Sequence, residues 1–221
     1  MEVEGDESAI MISEGRIAGM LLVAGAVIFF ASVSIPLLSG LGVRVWNAPL
    51  PEHLERIASN RSAWLWTNRG IVAGVLLTAV GLGGLTALLR EAGDGLLGQT
   101  GLLFFALGVT FWIIELAFRL SVTVWAAETA ASSGAPPAFF EPLQHWMGTL
   151  FFLYMALAYL GTAVYGGALL QTAMLPAWVG WVTLGAGLFG ALSFATGLPT
   201  IFTIPAGVHL APLVIGIALL R

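Results

Sequence analysis

The sequence contains neither cysteine nor lysine, and it has few charged residues of any kind. Without cysteine the chain has no disulfide, no thiolate nucleophile and no cysteine-ligated zinc or iron–sulfur cluster. Because all eight basic residues are arginine, a lysine Schiff base is excluded, and a retinal-type chromophore with it. Charged residues make up 9% of the chain, against roughly 25% in soluble domains. So little charge cannot cover a surface that faces water, and we expect lipid to be the main solvent.

Long apolar runs fill most of the 221 residues, of which 58% are hydrophobic. A helix that crosses a bilayer needs about 20 mainly apolar residues. Six segments meet that length: 17–41, 70–89, 96–131, 146–170, 178–196 and 199–220. In lipid each backbone polar group needs an internal partner, so these runs predict helices. The fold class predicted is therefore an all-α membrane protein, a bundle of six transmembrane helices formed by residues 16–221.

The third segment, 96–131, is too long for one crossing, since it would measure about 50 Å as a single helix. Its end reads WAAETAASSG, and we expect that part to project from the membrane. Gly134, Pro136 and Pro137 then predict the end of the helix. At the other extreme of the chain, residues 1–15 carry five acids before the first base. A secretory signal has the opposite charge, and we predict an acidic disordered tail.

The first loop is the only substantial one, and it contains a helical pattern. Five residues recur there at helical spacing: Leu50, Leu54, Ile57, Arg61 and Trp64. We predict a short interfacial helix that leads into the second span; an irregular loop is the alternative. Trp46, Trp64 and Trp66 are predicted interfacial anchors, because indole suits the headgroup layer, with one dry face and a wet N–H.

Two charged residues interrupt the third span, and they are the first candidates for function. Glu115 and Arg119 lie four residues apart with the acid first, which is the favourable order for an ion pair on one helix face. Each charge alone costs about 2.5–3.5 kcal/mol at the middle of a membrane. Such residues normally face the protein interior or a wet cavity. Two alternatives are structural: the pair locks two helices together, or Arg119 extends to the headgroups.

His209 is the third candidate, because it lies in the middle of the last apolar segment. Pro205 and Pro212 flank it, and each removes a helix hydrogen bond and frees a carbonyl. A histidine at that depth is suited to carry a proton, ligate haem or bind a ligand. The alternative is a neutral histidine bonded to a freed carbonyl or to Glu115. Since His53 and His145 lie outside the apolar runs, no second histidine is placed to complete a haem site, and no cofactor or metal is predicted.

Four short stretches resemble a known family. They are GRIAGMLLVAGAVIFF, EHLERIASNRSAWLWTNRG, ELAFRLSV and LPAWVGWVTLGAGLFGAL, and they extend over most of the chain. They resemble uncharacterised bacterial multi-pass membrane proteins of the domain of unknown function 4386 type. The resemblance implies a six-helix fold in the bacterial cytoplasmic (inner) membrane and supplies no activity. Members of that type often carry a carboxylate in the final span, where this chain has His209.

The function predicted from these features is non-catalytic. Glu115, Arg119 and His209 would form the polar centre of a small integral membrane protein that binds a lipophilic ligand or a membrane partner, as an accessory subunit or sensor. A proton-linked carrier that uses the same three residues is the second interpretation, and an intramembrane enzyme is the third. The partners expected are membrane lipids, with a membrane protein or a second copy of the chain as alternatives. No nucleic-acid partner is expected.

Overall fold

The structure is a computed structural model that describes residues 4–197 and 205–221, and the described residues form helices and no strands. A short 3₁₀ helix, Val43–Trp46, follows the first helix. The α-helices are α1 Glu4–Leu38, α2 Leu50–Ser59, α3 Arg61–Glu91, α4 Leu97–Leu120, α5 Val122–Ser133, α6 Phe140–Thr172, α7 Ala177–Thr196 and α8 Pro205–Leu219. The all-helical prediction is therefore confirmed.

Five helical stretches are long and apolar enough to cross a membrane, which indicates a membrane protein. They are Glu14–Leu38, Arg61–Glu91, Leu97–Ser133, Phe140–Thr172 and Ala177–Thr196. α8 is apolar but shorter, with 15 residues, and the first residues of the sixth predicted span lie outside the described part of the chain. Large apolar side chains also cover the outside of the helices, among them Val80, Leu103, Trp181 and Leu188. Scattered apolar residues are normal on soluble proteins, but a whole apolar exterior is not.

Five long helices and the shorter α8 close into a ring. α1 packs on α3, α3 on α4, α4 on α6, α6 on α7, α7 on α8, and α8 returns to α1. Glycines permit the closest approaches, as between α1 and α3: a Cβ on Gly74 would lie 2.8 Å from the carbonyl oxygen of Gly25. Small residues at such contacts allow backbones to approach, which is how helices associate where lipid is as apolar as leucine.

A cap covers one end of the ring. It consists of the 3₁₀ helix, α2 and α5, and it has an apolar core separate from that of the ring. Leu54 and Ile57 of α2 are buried there, together with Ala126 and Ala127 of α5. An exposed ion pair, Arg61 with Glu128 at 2.8 Å, fastens α5 to the start of α3. The short helix predicted for the first loop is therefore present, while its position at a membrane interface stays a prediction.

Three differences between the observed and the expected helices stand out. α3 begins nine residues before the predicted start at 70, because its first turns pack against the cap. The third predicted span breaks at Ser121 into α4 and α5, and the Ser121 hydroxyl bonds the Ala117 carbonyl at 2.6 Å. Such back-bonding favours a bend. α1 continues back to Glu4, so the backbone of the predicted tail is helical from residue 4 onwards. The side chains of residues 1–13 lie outside the described part, and the disorder of the tail stays a prediction.

The predicted end of the third segment is confirmed. α5 ends at Ser133, and Gly134 follows in the left-handed conformation with φ 80°. Glycine adopts that conformation at no steric cost, since it has no Cβ.

Candidate functional site

Glu115 and Arg119 form the expected ion pair at the end of α4. The Arg119 Nε–H donates to Glu115 Oε1. The Glu115 side chain is 7% exposed and that of Arg119 is 20% exposed, so the pair is sheltered from solvent. The second carboxylate oxygen, Oε2, is buried and has no hydrogen-bond partner. The indole of Trp112 lies close enough to act on the carboxylate, but its N–H does not reach hydrogen-bonding geometry.

Two tryptophans from the cap side of the protein hold Arg119 in place. The guanidinium carbon lies 5.0 Å from the ring centre of Trp46, which is a cation–π distance. Trp64 packs against Trp46 at 5.3 Å between ring centres and donates its indole N–H to the Arg119 carbonyl at 2.9 Å. Since the ring of Trp46 covers one face of the guanidinium, the free donors of Arg119 lie at its edge, on the two terminal nitrogens.

His53 of α2 joins this group, although nothing in the sequence around it singles it out. Its Nδ1 lies 2.6 Å from the Val45 carbonyl oxygen. A carbonyl can only accept, so Nδ1 carries the proton and Nε2 is left as an acceptor. Burial lowers the pKa of His53, and the Arg119 charge lowers it further, against the opposing effect of the Val45 hydrogen bond. His53 is therefore neutral at physiological pH.

A cavity of about 180 Å³ lies among these residues, between the cap and the ring. It is partly open. Its wall is formed by Trp46, His53, Trp64, Glu115, Phe118, Arg119, Thr123, Gln144, Met147 and Phe151, and by Gly148, which has no side chain. A Cβ on Gly148 would meet nothing within 4 Å. We call this cavity the cap pocket. It combines aromatic walls with one buried carboxylate, one guanidinium and a neutral imidazole.

The packing of α4 against α6 fixes the depth of the cap pocket. Gly101 lies against the Gly161 carbonyl, and Gly108, seven residues later, lies against the Tyr154 carbonyl, seven residues earlier. A further seven residues along both antiparallel helices bring Glu115 level with Met147. The next residue to Met147 is Trp146, whose ring is 51% exposed. The ion pair is thus level with an exposed tryptophan rather than with the middle of the bundle.

His209 lies apart from the ion pair. It is fully buried, and its ring stacks on Phe29 of α1 with 3.9 Å between ring centres. Thr78 of α3 approaches Nδ1 at 3.4 Å, which is a weak hydrogen bond at best, and Nε2 has no partner. The Trp112 ring lies 6.4 Å from the imidazole and 6.2 Å from the ring of Phe151, which lines the cap pocket. His209 does not line the pocket, so the structure divides the predicted polar centre in two.

The three predicted anchors also separate. Only Trp66 exposes its ring, with 62% accessible, and it lies beside Arg69. Trp64 is 1% exposed and its N–H is bonded inside the protein, while its role as an interfacial anchor stays a prediction. Trp46 is partly buried over Arg119. Other tryptophans are exposed instead: Trp125 and Trp146 towards the cap end, and Trp178 and Trp181 at the start of α7.

A larger depression of about 540 Å³ lies on the outer surface of the cap, lined by Arg44, Asn47, Ala48, Pro49 and Glu52. The Glu52 carboxylate is bonded to Arg56 at 2.7 Å, and the depression has no buried polar group of its own to offer a ligand. Within the described ranges no three metal-ligating side chains come together. The packing of His209 on Phe29 leaves one face of the imidazole covered, and the prediction of no cofactor stays a prediction.

Comparisons of the chain with models of protein families, with curated proteins and with solved structures find no match. Membership of the domain of unknown function 4386 type therefore stays a prediction that depends on the four short stretches alone. The interpretation of the site depends on its geometry.

Proposed function

We propose that this chain is a six-span protein of a bacterial inner membrane, and that it binds the polar end of a small amphipathic molecule in the cap pocket without chemically changing it. It would serve as an accessory subunit or sensor. The observation that carries the proposal is an aromatic cavity whose wall includes Glu115, a residue with one buried carboxylate oxygen that has no hydrogen-bond partner. A buried polar atom without a partner costs about 1–3 kcal/mol, and a ligand that supplies a donor removes that cost.

The exposed tryptophans support the membrane placement. Trp146 lies near the start of α6 and Trp178 near the start of α7, at opposite ends of this helix pair. Aromatic belts are found at such positions in membrane proteins. From Trp146 to the end of α6 at Thr172 the helix rises about 39 Å, close to the ~40–45 Å of a bilayer with its headgroups. On this placement the cap pocket lies at headgroup depth, which suits a molecule that is dissolved in the membrane and has a polar end.

The size of the cap pocket supports a small polar group. Its 180 Å³ is about six times the ~30 Å³ that one water molecule occupies in the liquid. Pockets that enclose a whole drug-sized ligand measure about 300–1,000 Å³. The polar end of an amphipathic molecule fits such a space, while its apolar part would lie along the exposed surface of the helices.

A proton-linked carrier is the second candidate, because Glu115 Oε2 and His209 Nε2 are both buried without partners. A carrier needs a wet path that joins such groups. The Trp112 ring packs near both the imidazole and Phe151, and the cap pocket does not extend to His209, which favours binding over transport. Purified protein in liposomes loaded with a pH-sensitive dye tests this alternative: proton flux that Glu115→Gln abolishes would establish the carrier.

Gly148 offers a direct test of binding. Its Cβ position is open and lines the cap pocket, so Gly148→Leu fills the cavity without displacing a neighbour. Gly148→Ala is the matched control, since a methyl group leaves most of the space. Native mass spectrometry of protein extracted in mild detergent should show a bound lipid-sized mass for the wild type and Gly148→Ala. Gly148→Leu should lack that mass. Equal binding by all three proteins, or none by any, contradicts the proposal.

A further inference from the structure

We infer that the polar end held in the cap pocket is zwitterionic, with an N–H-bearing ammonium beside Glu115 and an anionic oxygen group beside Arg119, as in a phosphoethanolamine headgroup. The inference rests on the proposed function, because it names the chemistry of the ligand in the same pocket. Four observations carry it: the unused acceptors, the unused donors, the net charge of the wall and the depth of the site.

The acceptors come from two elements. Glu115 Oε2 is buried and unpaired, and the tautomer fixed by the Val45 carbonyl leaves His53 Nε2 as an acceptor. Glu115 Oε2 lacks a donor, and His53 Nε2 can accept one. An ammonium that keeps its N–H bonds supplies up to three, and the aromatic wall formed by Trp46, Trp64 and Phe118 adds a favourable surface for a cation.

The donors come from Arg119. Its Nε–H is taken by Glu115, and its face is covered by Trp46. The two terminal nitrogens, which carry four N–H bonds, have no acceptor among the residues that the structure describes. Paired terminal N–H groups match the oxygen atoms of a phosphate or carboxylate. Gln144, also in the wall, adds an amide that can donate or accept.

The charge of the wall selects between headgroups. Glu115 and Arg119 cancel each other, and His53 is neutral. An anionic headgroup would approach Arg119 but face the Glu115 carboxylate with no compensating cation. A quaternary ammonium such as choline would balance the charge of the Glu115 carboxylate. It could not donate to Glu115 Oε2 or His53 Nε2, since it has no N–H. A primary ammonium linked to a phosphate satisfies both ends at once.

Wild-type protein tests the order of preference directly. We would add an equimolar mixture of dioleoyl phosphatidylethanolamine, phosphatidylcholine and phosphatidylglycerol to protein in mild detergent and measure the bound masses by native mass spectrometry. Phosphatidylethanolamine should exceed each competitor by about tenfold, the effect of one charge-assisted hydrogen bond. In Glu115→Gln the ratio over phosphatidylcholine should fall towards one. Glu128→Gln is the matched control, because its carboxylate pairs with Arg61 in the exposed part of the cap.

The outcomes separate the two proposals. One outcome is that Gly148→Leu removes bound lipid while the wild type holds the three headgroups equally or prefers phosphatidylglycerol. In that case the inference of a zwitterionic headgroup is wrong and the proposed binding function stands. If neither a lipid nor free phosphoethanolamine binds in a way that depends on Gly148, both fail. Free phosphoethanolamine distinguishes a lipid source from a soluble one: binding of it alone, with no retained lipid, assigns the pocket to a soluble zwitterion. If Glu115→Gln fails to fold, the wild-type preference still decides the inference.

Discussion

The contact between α1 and α3 makes a quantitative prediction about Gly74. In Gly74→Ala the new Cβ would lie 2.8 Å from the carbonyl oxygen of Gly25 and 2.8 Å from the amide nitrogen of Phe29. Both are backbone atoms, so no side chain can rotate away. An ordinary contact begins near 3.4 Å, and the two helices must therefore separate by roughly 0.6 Å. Forced overpacking of this kind costs about 1–3 kcal/mol.

Gly83→Ala is the matched control. It lies in the same helix, and a Cβ there meets nothing within 4 Å. Both substitutions gain the helix propensity of alanine, about 1 kcal/mol, so the difference between them isolates the steric cost. Gly74→Ala should be less stable than Gly83→Ala by about 1–3 kcal/mol, roughly a 5- to 150-fold change in the unfolding equilibrium.

Reversible unfolding in mixed micelles, followed by circular dichroism and by tryptophan fluorescence, measures this difference. Phe29, which the new methyl group displaces, stacks on His209 and lies 5.9 Å from Trp112 between ring centres. The fluorescence of the folded Gly74→Ala variant should therefore change, and that of Gly83→Ala should not. Equal unfolding curves for the two variants would refute the close packing of α1 on α3.

Three further substitutions test other parts of the fold. The pKa of His53 is lowered in the folded state, so the unfolded chain takes up the proton first as the pH falls. The free energy of unfolding should therefore fall as the pH drops below about 6.5. Denaturation curves of His53→Asn should lose that dependence. His209→Leu removes the unpaired Nε2 and the stacking on Phe29 together, so its stability should stay within about 1 kcal/mol of the wild type, and a larger loss would mean an undetected partner. Gly134→Ala should lose about 1–2 kcal/mol in thermal unfolding, because φ is 80° there.

Hydropathy was sufficient to predict the long helices of the bundle. α6 and α7 were expected at 146–170 and 178–196, and both contain those ranges. The sequence also predicted the pairing of Glu115 with Arg119, since it depends only on spacing within one helix. The end of α5 at Gly134 was predicted as well, because glycine is the usual residue in the left-handed conformation that ends a helix.

The cap pocket could not be predicted, because it depends on which helices meet. His53 and Trp64 come from the first loop and the start of α3, and only the fold brings them to the end of α4. Hydropathy reports how apolar a segment is, and it does not report which side of the helix meets a neighbour. For the same reason the break at Ser121 was missed: neither proline nor glycine marks it, and the β-branched Val122 and Thr123 that follow are a weak signal.

The way α8 closes the ring has a consequence for biosynthesis. α8 lies between α1 and α7, and Gly19 of α1 faces the Gly216 carbonyl at a Cβ distance of 3.0 Å. Sequential neighbours can associate as they leave the ribosome, but the side of α1 that carries Gly19 must wait for a partner made almost 200 residues later. During translation the Gly19 side of α1 is accessible to helices of other proteins. A chaperone or the insertion machinery therefore has the longest opportunity to hold the nascent protein there.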